Sequence, residues 1–79
     1  MRRMTTFRLS DPDLVPDLLE HLGARQDVVA ARIDRDTIRV SILGSYSRDA
    51  MDLTADLMVR AWEAAQRAEG VDVRVELET

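Results

Sequence analysis

The chain has 79 residues, a length at which a domain buries only about 60% of the surface its unfolded form exposes, so residues 1–79 hold one thin core and no second domain. Cysteine is absent, which excludes disulfides and thiolate metal sites and fits a reducing compartment. A formal net charge of −4 with 33% charged residues gives no whole-molecule attraction for nucleic acid, which is therefore not among the expected partners.

The basic pair Arg2-Arg3 precedes an alternating polar segment instead of an apolar stretch, so it reads as neither a secretory nor a twin-arginine signal. No run approaches the roughly eighteen apolar residues of a membrane span. The expected location is the cytoplasm, with no membrane partner.

Residues 4–9 alternate, with Thr5, Phe7 and Leu9 on one side and Thr6 and Arg8 on the other, the period of a half-buried strand. Ser10-Asp11-Pro12-Asp13 then combines a capping residue, a first-turn proline and early carboxylates, the signature of a helix start. Leu14, Leu18 and Leu22 supply a helical apolar stripe. Pro16 lacks the amide a second turn needs, so the helix starts late, near Val15, or is distorted there, and Gly23 is expected to end it as a C′ residue.

Two further alternating runs, 27–33 and 37–43, are separated by Asp34-Arg35-Asp36, a connection of hairpin length. Val29, Ala31 and Ile33 are expected to face inward together with Ile38, Val40 and Ile42. After a loop at 44–47, Ser47 or Asp49 caps a long helix reaching Glu69 and stopped by Gly70. Val71, Val73, Val75 and Leu77 alternate with charged residues as a final strand.

The order strand, helix, strand, strand, helix, strand predicts an α+β fold, the ferredoxin-like βαββαβ plait. Its four-stranded antiparallel sheet has spatial order 4-1-3-2 and carries both helices on one face. The opposite face is then expected to display Thr6, Arg8, Val28, Ala30, Arg32, Arg39, Ser41, Asp72, Arg74 and Glu76. Arg8, Arg32, Arg39 and Arg74 form a candidate anion-binding group, because guanidinium forks grip carboxylate or phosphate at two points. The alternative is a solvated face with arginines paired to Asp72, Glu76 and Glu78. The one aromatic of the first strand, Phe7, lies on the helix side, which argues against base stacking.

On the second helix, Ala50, Leu57, Ala61, Ala65 and Ala68, with Leu53 and Ala64 beside them, make a stripe of mostly small residues expected to lie against the sheet. Met51, Met58, Val59 and Trp62 form a shoulder to that stripe and are the candidate partner interface, since exposed methionine and tryptophan anchor such contacts. Wrapping of the sheet edge by the same residues is the alternative. His21 stands alone, without a second ligand at metal-binding spacing, and Tyr46 and Ser47 read as turn and capping residues. No cluster points to a catalytic site, a metal or a cofactor.

The stretch from Asp11-Pro12-Asp13-Leu14 to Leu22 resembles the loop and first helix of amino-acid-sensing ACT domains over about a dozen residues, departing from them at Asp13, where those domains usually carry glycine. That resemblance implies regulatory sensing of an amino acid or other small anionic metabolite. The expected function is a non-catalytic interaction or assembly module, homodimeric or bound to a partner protein. Sensing of an anionic ligand of ACT type is the alternative, and a cofactor-free enzyme using His21 or Tyr46 stands third.

Overall fold

A computed structural model of the protein describes residues 5–44 and 48–78, apart from the side chains of residues 48 and 49. The expected strand start at Met4, the loop residues Tyr46 and Ser47, and the capping role of Ser47 or Asp49 lie outside what is described. The elements follow the expected order: β1 (Thr5–Leu9), α1 (Val15–Gly23), β2 (Val28–Arg32), β3 (Thr37–Ile42), α2 (Arg48–Ala68) and β4 (Val75–Glu78).

The four strands form one antiparallel sheet in the order β2-β3-β1-β4, which is the expected 4-1-3-2 read from its other edge. β1 pairs with both β3 and β4, placing Phe7 opposite Ile38 and Leu77, and Leu9 opposite Val75. Phe7, Leu9, Ile38 and Val75 share a face with Val40, and together with Leu18 and Leu22 of α1 and Ala55, Val59 and Trp62 of α2 they form one hydrophobic core, while Leu77 is 38% exposed. One sheet face takes both helices because one apolar face is all the alternating strands offer.

The entry to α1 resolves the proline question. Asp11 accepts a hydrogen bond from the Asp13 amide at 3.0 Å, a short 3-10 turn covers Pro12–Leu14, and the α-helix begins only at Val15. Pro16 thus sits in the first turn, where its missing donor costs nothing. Gly23 does not act as the expected left-handed C′ residue: it is the last helical residue, and the chain continues in right-handed geometry at Ala24.

Gly70 does adopt the left-handed conformation, with φ +86°. The Val71 amide reaches back to the Gln66 carbonyl at 2.9 Å and the Gly70 amide to the Arg67 carbonyl at 3.0 Å, the paired bonds of a Schellman termination. A Cβ at either Gly23 or Gly70 would meet no atom within 4 Å, so backbone conformation alone separates them. Gly70→Ala is expected to cost about 1–2 kcal/mol, while Gly23→Ala is expected to stabilise by about 0.5–1 kcal/mol. Urea denaturation midpoints shifted in the same direction for both would contradict this assignment.

Two expectations for the strands require correction. β4 begins at Val75 and not at Val71, because β1 ends at Leu9 and leaves residues 71–74 no strand to pair with. Ser10 covers the gap, its amide donating to the Arg74 carbonyl at 2.8 Å and its hydroxyl accepting from the Arg74 amide at 2.9 Å. In β2 the faces are reversed. Val28, Ala30 and Arg32 lie opposite Ile42, Val40 and Ile38 on the helix side, while Val29 is 52% exposed and Ile33 44%. The turn decides this: the Ile33 amide donates to the Thr37 carbonyl at 2.9 Å, and a strand of period two then has only one possible phase.

Candidate interaction surfaces

α2 is apolar on two opposite faces, and the structure chooses between them by volume. Met51, Ala55, Val59 and Trp62 point into the core, each at most 2% exposed, with Met58 half-buried beside them. These side chains fill the space between helix and sheet, whereas a row of alanines would leave it empty. Of the candidate partner interface at Met51, Met58, Val59 and Trp62, three residues, Met51, Val59 and Trp62, are core residues shielded from any partner. Trp62 also spans two elements, its indole Nε1 donating to Asp17 Oδ2 of α1 at 2.8 Å, with Gln66 Nε2 donating to the same oxygen at 3.1 Å.

The stripe expected to lie against the sheet faces outward instead. Leu53 and Leu57 are 62% and 61% exposed, and Ala50, Thr54, Ala61, Ala64, Ala65 and Ala68 are exposed around them. The stripe runs almost the whole 21-residue helix, a length of about 31 Å at 1.5 Å per residue.

One edge of this stripe is charged and tied inward. Arg60 bonds Glu63 at 2.6 Å and pairs with Asp56 at 3.2 Å. The hydrogen bond that Arg60 donates to Glu63 holds its guanidinium above its ordinary pKa. Glu63 is buried, and its second oxygen accepts the Val75 amide at 2.6 Å, joining α2 to the first residue of β4. At the other end of the helix the Thr5 hydroxyl donates to Asp52. Sequence reasoning placed no weight on Glu63; its position in a run of otherwise small or apolar residues, Ala61 to Ala65, was the available signal.

The arginines do not assemble into one site. Arg8 is paired with Glu78 at 3.1 Å and Asp36 at 3.7 Å, the cross-strand neutralisation a solvated sheet favours. Arg32, expected on the open face, belongs to the helix side by register, and its guanidinium bonds the turn carbonyls of Asp34, at 3.1 Å, and Arg35. Arg39, opposite Thr6 and Ala31, and Arg74, just before β4, are exposed and form no ion pair among the described residues. The register sets them at different ends of β1. His21 is exposed on α1. Among the described residues no three His, Cys, Asp or Glu side chains are grouped to hold a metal ion, and no helix is long and apolar enough to cross a membrane.

Compared with known protein families, curated proteins and solved structures, the chain matches none.

Proposed function

We propose that this chain is a non-catalytic interaction module of ferredoxin-like architecture that associates through the outer face of α2. One observation carries the reading: Leu53 and Leu57 stand more than 60% exposed at the centre of an apolar stripe on a helix whose opposite face already completes the core. An exposed leucine is ordinary by itself, but a continuous apolar face is the usual mark of a contact surface. The split βαβ connectivity, with β3 between β1 and β2 and β1 between β3 and β4, supports the architectural part. Sensing of a small anionic metabolite draws on less, since Arg8 and Arg32 are already engaged within the chain.

The double variant Leu53→Lys, Leu57→Lys alters only exposed positions, so its fold is expected to survive with a change within about 0.5 kcal/mol per site. Light scattering over a dilution series should report a wild-type mass above 9.0 kDa that falls to the chain mass in the variant. A 9.0 kDa wild-type particle at every concentration would remove the self-associating form of this reading.

A further inference from the structure

On a surface separate from α2, we propose that the outer edge of β2 is a strand-addition site. Its occupant is an extended segment of a partner protein, carrying an acidic residue with an apolar residue two positions away on either side. The phase of the ladder shows which backbone groups are available. The Ile33 amide donates to the Thr37 carbonyl at 2.9 Å and the Leu43 amide to the Asp27 carbonyl at 2.7 Å. Asp27, Val29, Ala31 and Ile33 therefore bond toward β3, and the alternate residues Val28, Ala30 and Arg32 turn their backbone groups outward. The Val28 amide reaches the Arg25 carbonyl at 3.4 Å, and among the described residues the amides of Ala30 and Arg32 make no hydrogen bond.

The opposite edge of the sheet is closed. The bond from the Ser10 amide to the Arg74 carbonyl sets a phase that turns the Val75 amide outward, and Glu63 accepts it at 2.6 Å. β4 also carries Glu76 and Glu78, charges of the kind that guard an edge. Residues 28–31 of β2 are uncharged, and Arg32 turns its guanidinium back onto the Asp34 and Arg35 carbonyls. A row of outward amides and carbonyls matches another extended chain and not a helix.

The sheet face beside this edge defines the side chains that segment needs. Val29, Ile33 and Leu43 are exposed there, so residues added level with Val29 and Ile33 gain by being apolar. Between those two, Ala31 is level with Arg39, which is exposed and forms no ion pair among the described residues. The small alanine leaves the way from Arg39 to the edge clear. A residue added level with Ala31 lies two strand spacings, about 10 Å, from Arg39, within the combined reach of an arginine and a glutamate. The pattern reads the same from either end, so it serves a strand added in either direction.

The probe is a fluorophore-labelled, end-capped peptide, Thr-Val-Thr-Glu-Thr-Val-Thr, titrated with the whole chain at low ionic strength and followed by anisotropy. Wild type is expected to bind it about threefold more tightly than the same peptide with lysine in place of glutamate, the size of an exposed ion pair, and Arg39→Glu to invert that preference. Ala30→Pro removes an outward amide that the intrachain ladder does not use, a change an edge strand tolerates. It is expected to keep the wild-type circular dichroism and to weaken binding about tenfold. Leu53→Lys, Leu57→Lys is expected to bind as wild type does, so this site and the α2 surface fail separately; binding lost in that variant would place the peptide on α2 and overturn the site. Undiminished binding by a folded Ala30→Pro, a preference unchanged by Arg39→Glu, or no binding of either peptide at millimolar concentration would also overturn it. The Arg39→Glu inversion decides the matter even where the proline variant does not fold.

Discussion

Trp62→Ala is expected to unfold the domain or bring it to the edge of unfolding. The side chain is 2% exposed and packs in the core cluster with Phe7, Leu22 and Val59, and truncation of a buried tryptophan costs about 3–5 kcal/mol in lost transfer energy and residual cavity. A single core of this size supplies a net stability of only about 3–5 kcal/mol, so the loss is comparable to the whole. Trp62→Phe separates packing from the polar contact. It keeps an aromatic ring in the core and removes the donor to Asp17, whose carboxylate is exposed and retains Gln66, so about 1–2 kcal/mol is expected. Urea denaturation followed by circular dichroism measures both. An unchanged midpoint for Trp62→Ala would return this residue to the surface role its composition suggested.

Glu63→Ala should be the second most damaging change, and its damage should be local to β4. The carboxylate is buried, accepts the Val75 amide at 2.6 Å and anchors Arg60. Its removal leaves a buried backbone donor without a partner and Arg60 with Asp56 alone. A hydrogen bond to a charged group contributes about 1.5–3 kcal/mol, with a similar penalty for orphaning a buried donor. Because Arg60 is 45% exposed, solvent softens its share, and a total of about 2–3 kcal/mol is expected. β4 is a four-residue edge strand paired only with β1, so its amides should lose protection first. Hydrogen exchange by NMR should show Val75 accelerated well beyond the β1–β3 ladder, and Glu63→Gln, which keeps an acceptor, should recover much of the protection. Equal acceleration at Val75 and Val40 would mean that Glu63 contributes to global stability and does not specifically hold β4.

Much of the architecture was legible in the residues. The alternation in β1, the capping run before α1, the late helix start forced by Pro16 and the stop at Gly70 each have a local cause and appear where those causes put them. β2 was misread because Val28-Val29-Ala30-Ala31 is apolar in both phases. The count of the hairpin nonetheless contained the answer, since three residues between Ile33 and Thr37 pair those two and place Ile38, Val40 and Ile42 on the face of Arg32, Ala30 and Val28. The outward stripe of α2 was legible as a pattern and misassigned as a surface, because helical spacing reports that a face is apolar and not which way it points.

The amino-acid sequence by itself determined the number, type and order of the elements, since propensity, periodicity and capping act over a few residues. Tertiary structure alone decided which of two apolar faces of α2 is covered, because that depends on how much volume the sheet leaves beneath the helix. Met51, Val59 and Trp62 fill that volume, and Leu53 and Leu57 are left exposed on the outer face.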